Sequence, residues 1–234
     1  MLDVELKLLN DCDKGINVLV WIPPRPIIVL GNGDKRADTC FQDKCVELGV
    51  HIARRKGGGS AVLLHEDCLI VSIGMWVEQF FHNKKYFDLL NSSLIKTLTR
   101  AQQVFAQLTL KGISDIAYDN RKVAGTTIFR SRNFLLYQAS LLFHARAQQI
   151  SALLKQPMLM PDYRNARTHA DFLLGLAEIA PDVSINALRQ RLNKQLVSTI
   201  QQAFGQQLIV PPPSQVATLK ARAAQTKVSY ALMT

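Results

Sequence analysis

The stretch Ser114-Asp115-Ile116-Ala117-Tyr118-Asp119-Asn120-Arg121-Lys122-Val123-Ala124-Gly125-Thr126 decides the fold. Asp115–Tyr118 and Val123–Ile128 read as paired strands. Asp119-Asn120 between them tolerates the positive φ that a tight hairpin requires. Phe134–Phe143 follows as a further strand. Upstream, residues 16–31 read as two short strands, INVLVWI and PIIVLG, split by Pro23-Pro24; prolines suit such a connection because they cannot donate to a ladder. Further strands are expected at 50–53, 61–65 and 68–75. Helices are expected at 38–49, with Cys40, Phe41, Cys45, Val46 and Leu48 on the apolar side and Gly49 as the stop. Another follows at 84–101, where Phe87, Leu90, Leu94 and Leu98 keep a helical spacing. Later helices are expected at 145–155, 165–177 and 184–204, the last capped by Ser184 and Gly205. Pro211-Pro212-Pro213 then breaks the chain, and the last 20 residues form either a docked helix or a loose tail. Strands first and helices later indicate an α+β domain rather than a regular alternation.

The 234 residues are 48% apolar and 20% charged, enough for one large domain with a sizeable core and unlike a disordered chain. No apolar run approaches the roughly 20 residues of a membrane span. The start, Met1-Leu2-Asp3-Val4-Glu5-Leu6-Lys7, reads as neither a secretory signal nor a transit peptide. The cysteines, Cys12, Cys40, Cys45 and Cys68, form no CxxC pair. That argues against a disulfide scaffold or structural zinc and for a reducing, cytoplasmic setting. The net charge is +10, and residues 183–234 carry six cations and no acid. Such a chain attracts nucleotides, polyanions and acidic proteins. The cations are not interleaved with stacking aromatics, so nucleic acid is not the expected partner.

Three constellations carry chemistry. In Arg54-Arg55-Lys56-Gly57-Gly58-Gly59-Ser60, successive glycines let bare amides approach a carboxylate or phosphate, with three cations beside them. The same run also reads as a solvated turn with a charged shoulder. It is neither a Walker loop nor a dinucleotide fingerprint. In the hairpin, Lys122 stands beside small Ala124 and Gly125 and can reach a substrate pressed against the strand. Alone it reads more readily as an exposed strand-end cation. In Pro161-Asp162-Tyr163-Arg164-Asn165-Ala166-Arg167-Thr168-His169-Ala170-Asp171-Phe172, Arg164, Arg167 and Asp171 fall on one helical face and can pair. His169 reads as a structural hydrogen-bonding group, since no nucleophile lies beside it.

Together these segments resemble the biotin/lipoate protein ligase family, of the lipoate–protein ligase A type. The resemblance rests on Arg54-Arg55 entering a Gly-rich loop, Asp115 some 60 residues on, the Arg121-Lys122-Val123-Ala124-Gly125 hairpin, and the run from Leu153 to Phe172. It covers roughly residues 20–175. Several positions depart from the family pattern: Gly57 and Ser60 within the loop, His65 or Leu64 after the next strand, Thr126-Thr127 after the hairpin, and Tyr137-Gln138 where a His-His pair is common.

The resemblance implies mixed, largely antiparallel sheets packed with helices, as in the biotinyl/lipoyl ligase catalytic domain. It implies a catalytic unit at 1–205 without the C-terminal accessory domain, and a basic extension at 206–234. The implied chemistry joins lipoate and ATP into lipoyl-adenylate, then acylates a lysine on a lipoyl domain of a 2-oxoacid dehydrogenase complex or on glycine-cleavage H protein. Lys122 would contact the acyl carbonyl and α-phosphate. Arg54, Arg55, Gly57, Gly58, Gly59, Ser60, Asp115, Gly125 and Thr126 would hold substrate and nucleotide, and Asp115 would be a magnesium ligand. A separate accessory subunit is an implied partner. Two alternatives stand beside this. An octanoyl/lipoyl transferase would need a thioester cysteine, and no cysteine follows Cys68. A catalytically degenerate module would bind lipoyl groups or adenylates without turnover.

Overall fold

A computed structural model of the chain describes residues 3–78, 83–157 and 160–231, the last seven of these by backbone alone. Nine strands are described: β1 (Asn17–Trp21), β2 (Ile27–Leu30), β3 (His51–Arg54), β4 (Val62–Leu64), β5 (Cys68–Trp76), β6 (Thr109–Lys111), β7 (Asp115–Tyr118), β8 (Arg121–Ser131) and β9 (Phe134–Leu142). The helices are α1 (Asp3–Asn10), α2 (Arg36–Thr39), α3 (Gln42–Glu47), α4 (Asn83–Thr99), α5 (Ala147–Leu153), α6 (His169–Phe172), α7 (Leu176–Ile179), α8 (Ile185–Phe204) and α9 (Pro213–Ala231).

A six-stranded sheet in the order β1-β5-β9-β8-β7-β6 is antiparallel throughout. A three-stranded sheet, β3-β2-β4, pairs β2 parallel to β3 and antiparallel to β4. This is the expected α+β arrangement of mixed, largely antiparallel sheets packed with helices.

The larger sheet has two different faces because side chains alternate along each strand. Val71, Ile73, Tyr137 and Ala139 point to one side and join Leu90 and Leu94 of α4 and Leu188, Leu192 and Leu196 of α8 in the main core. The opposite face is covered in two places. At one end the small sheet, α5 and α6 pack on Cys68, Ile70 and Leu142. At the other, Leu8 and Leu9 of α1 and Leu219 and Ala223 of α9 pack on Trp76, Phe134 and Leu136. Between them lies a seam of smaller and more polar positions.

Local signals explain the long elements. Asp119 and Asn120 both have positive φ, the hairpin geometry expected of them. The Ser184 hydroxyl accepts from the Ala187 amide, and Gly205 ends α8 at φ 51°. The tail is the docked alternative: Lys220 of α9 pairs with Asp13 at 2.8 Å. No helix among the described residues is long and apolar enough to cross a membrane.

Two helical expectations fail for identifiable reasons. The 38–49 helix is interrupted at Cys40, which bridges Leu154, while Phe41 N–H donates to Leu153. Cys40 and Cys45 are buried, but Phe41, Val46 and Leu48 are 45%, 81% and 54% exposed, so the expected apolar face is not a single stripe. The 165–177 helix is only α6 and α7. Asn165 and Ala166 take positive φ, and Leu173-Leu174 lies along β8, where Leu174 N–H donates to Lys122 O. Strand-like pairing there outweighs local helical preference. Arg164 and Arg167 do not ion-pair with Asp171; both guanidinium groups stack on Phe172. Strand β6 and helix α1 were not anticipated from the sequence.

Leu192 lies wholly buried between α8 and the sheet. Leu192→Ala is expected to cost about 2–5 kcal/mol, read as a lower urea midpoint at unchanged slope.

Candidate active site

The site begins with an irregularity in the hairpin. Ile116 pairs with Ala124, but its neighbour Ala117 pairs with Lys122, leaving Val123 as an extra residue in β8. Such a bulge turns two successive side chains to one face. Val123 and Ala124 both enter the main core. Lys122 therefore joins Gly125 on the outer face, although the two lie three positions apart. Its Nζ is 2.9 Å from where a Cβ on Gly125 would stand.

The ammonium is held by Asp115, with Nζ 2.7 Å from Oδ1. The other Asp115 oxygen accepts from the Tyr163 hydroxyl at 2.9 Å. Burial and the adjacent carboxylate push the Tyr163 pKa up, so it remains a donor. Both Asp115 oxygens are thus engaged. Among the described residues no cluster of three His, Cys, Asp or Glu side chains could hold a metal. Asp115 therefore stands without the further carboxylates of an all-protein cage, and a magnesium ion here would take most of its ligands from substrate phosphates and water.

The glycine loop reaches the same face. Thr127, two residues beyond Gly125 and so on the same side about 7 Å away, donates its hydroxyl to Gly58 O at 3.0 Å. Gly57 is buried, and any Cβ there would collide with the Thr127 side chain. A Cβ on Gly31 would meet the Gly59 carbonyl in the same way. The two arginines hold this loop. Arg55 is buried and donates to Val29 O, Gly58 O and Ser60 O. Arg54 donates to Gly31 O and Asn32 O. Gly57 O accepts from Asn32 N–H. In trans peptides the next N–H points away from each engaged carbonyl. The Gly58 and Gly59 amides therefore turn away from these partners.

The structure thus brings Lys122, Asp115, Gly125, Gly57 and Gly58 to one face of β8. Gly59 and Ser60 continue the loop on its exposed side. Thr126 faces the core side and bonds Ser114 O through both its amide and its hydroxyl. Arg54 and Arg55 act on loop backbone. The sequence reading missed Glu5, which accepts from Lys56 N–H, and Gly31 and Asp34, whose Oδ2 accepts from Gly31 N–H; a Gly-Asn-Gly-Asp run after a strand is the signal for that turn. It also missed Tyr163 as a partner of Asp115 and Thr127 as the seat of the loop. His65 is buried and accepts through Nδ1 from Asp67 N–H.

Residues 1–197 match the family described as the lipoyl protein ligase A/B catalytic domain. The chain belongs to this family. No curated protein matches it in sequence. Among solved structures, the bi-partite lipoate protein ligase of Thermoplasma acidophilum superposes with a TM-score of 0.70 at 16% identity, over 94% of this chain and 87% of that one. A lipoate-protein ligase A bound with ATP gives 0.67 at 16%, over 94% and 88%. P. falciparum LipL1 in complex with lipoate gives 0.62 at 17%, over 82% of this chain and 50% of that one. At such identities the likeness establishes the fold.

Within this lipoyl ligase fold, His169 is buried with Nδ1 3.3 Å from Ser151 Oγ. Burial, with help from Arg164 and Lys122, lowers its pKa to about 4. Folding therefore disfavours its protonation. Stability is full above the unfolded value of about 6.5 and is lost as pH falls toward 4, because the unfolded chain binds the extra proton. His65, whose pKa burial also lowers, acts in the same direction. Denaturation midpoints should fall between pH 6.5 and 4, and His169→Asn should flatten part of that slope.

Proposed function

We propose that this chain is the catalytic unit of a lipoate–protein ligase, which activates lipoate with ATP and transfers the lipoyl group to a lysine of a lipoyl domain. The observation that carries this reading is the shared placement of the Lys122 ammonium and the bare glycine backbone on one face of β8.

In the first step a lipoate carboxylate oxygen attacks the α-phosphorus of ATP. The new O–P bond forms as the bond to pyrophosphate breaks. In the second, the neutral ε-amine of the acceptor lysine attacks the acyl carbon. The C–O bond to AMP breaks, AMP leaves with the bonding pair, and the amine loses a proton. The first step gathers negative charge on the α-phosphate oxygens, and the second on the acyl carbonyl oxygen and the departing AMP phosphate. An ammonium has three donors; with one on Asp115, the others can face those oxygens. Fixed donors of this kind stabilise developing charge without reorganising. Magnesium would travel with the nucleotide phosphates rather than in a protein-built site. Nucleophilic catalysis by this chain is not needed, because the amine belongs to the acceptor.

The thioester alternative lacks support from the thiols. All four cysteines are buried, and burial pushes Cys68 up to about 12, which keeps it protonated and a poor nucleophile. The acceptor is read as a lipoyl domain or H protein, with the catalytic unit at 1–205, the extension at 206–234 and a separate accessory subunit completing adenylation.

The test is mass spectrometry of a purified lipoyl domain incubated with this protein, ATP, magnesium and lipoate. The acceptor should gain one lipoyl group. Lys122→Ala should slow acylation by about 100-fold or more, with folding verified by thermal denaturation. Acylation at the parental rate by that variant would discard the mechanism. Hydrogen bonds to charged groups contribute about 1.5–3 kcal/mol. Tyr163→Phe, which loosens Asp115 and through it Lys122, should therefore reduce kcat about 10-fold or more while the KM for lipoate changes little.

A further inference from the structure

We infer that Glu5 is a positioning residue: from helix α1 it fixes the entry of the glycine loop and keeps that loop in the shape that receives substrate. The inference rests on the ligase reading and adds to it the N-terminal helix, an element the two chemical steps do not otherwise use.

The helix places the carboxylate. Glu5, Leu8 and Leu9 fall at i, i+3 and i+4, so they share one face of α1. Leu8 and Leu9 anchor that face on Trp76, Phe134 and Leu136, while Val4 packs against the cluster around the small sheet. Helix α1 therefore runs between the two covers of the outer face. Glu5 is wholly buried. Burying a carboxylate is costly unless hydrogen bonds compensate, and a well-packed apolar residue would continue the face without that cost. What the carboxylate supplies instead is an acceptor. Its Oε1 accepts from Lys56 N–H at 3.0 Å.

Lys56 is the residue at which the chain passes from β3 into the loop. Before it, Arg55 directs its guanidinium to Val29 O, Gly58 O and Ser60 O. After it, Gly57 is wedged against the Thr127 side chain. The Lys56 side chain is engaged elsewhere, with Nζ 5.2 Å from the centre of the Phe129 ring. Glu5 thus holds this residue by its backbone. Burial lowers the Arg55 pKa, and the charges of Asp34 and Glu5 oppose that lowering. The carboxylate therefore supports both the loop's entry and the cation that ties its far side. A loop that holds the receptive shape only part of the time weakens apparent affinity by that fraction, and leaves the chemistry of the bound state alone.

Two readouts on the full chain test this. One is acylation of a purified lipoyl domain at varied lipoate, with ATP and magnesium. The other is hydrogen exchange of peptides spanning residues 54–62. Glu5→Leu removes the acceptor and keeps an apolar side chain in its place. It should raise the KM for lipoate about 10-fold with kcat little changed. Exchange in the loop should quicken about 10-fold while β5 and β9 stay protected. Glu5→Gln, which retains an acceptor oxygen, should recover most of the loss. Glu5→Met repeats the measurements should the leucine variant fail to fold by thermal denaturation. A carboxylate of structural importance alone would lower the thermal midpoint and leave KM and loop exchange as they were. That result in a folded variant, or a glutamine variant as impaired as the leucine one, would overturn the inference while leaving the ligase reading in place. Absence of acylation by the wild type would overturn the ligase reading, and with it the kinetic role of Glu5.

Discussion

A single extra residue in strand β8 sets the geometry on which the site depends. Without Val123 in excess, strict alternation would put Lys122 and Gly125 on opposite faces. With it, Val123 and Ala124 both enter the core and Lys122 is turned outward. The hydrophobic contribution of two successive buried residues holds the bulge in place, so the same contacts that stabilise the sheet also aim the ammonium. The backbone on the far side is fixed as well: Leu174 N–H donates to Lys122 O, and Arg121 donates to Leu173 O. Core packing, a local irregularity and a crossing strand-like segment together position one side chain.

The glycine loop is the second half of the constraint, and it is held by cations that act inward. Arg55 is buried with its donors on three backbone carbonyls, and Arg54 ties the neighbouring turn. Burying a guanidinium is tolerable only when its donors are satisfied. The carbonyls supply this, while Asp34 and Glu5 oppose the lowering of the Arg55 pKa by burial. The close approaches of Gly31 to Gly59 and of Gly57 to Thr127 show how tightly the loop is seated. Its shape is thus set before any ligand arrives.

How much of this was legible in the sequence depended on whether the signal was local. The hairpin at Asp119-Asn120, the caps Ser184 and Gly205 and the spacing of Leu90, Leu94 and Leu98 are local, and they appear as read. Lys122 and Asp115 were identified as site residues, but the bulge that joins them is invisible in residue types. Tyr163, Glu5 and Thr127 act across 48, 51 and 69 positions of sequence. No periodicity reports such contacts. The same applies to the failed helices: Cys40 and Leu173 are drawn into bridges with Leu154 and Lys122, partners far away in the chain. Arg54 and Arg55 were legible as a motif, though not in direction, because a cation beside a glycine run looks alike whether it faces ligand or loop.

The net charge of +10 invites a reading in which positive charge simply gathers anions. Around the site the cations behave differently. Arg54, Arg55, Arg121, Arg164 and Arg167 direct donors to backbone carbonyls, and the last two also stack on Phe172. Their charge organises the walls. Lys122 is paired instead with a carboxylate that Tyr163 holds from its other side. A compact ammonium with three donors keeps capacity after one such pairing, whereas a guanidinium fork fixed on carbonyls has little left to redirect. The division follows from side-chain chemistry: planar, permanently charged groups build the frame, and a point charge on a flexible stem is left facing the reactive space.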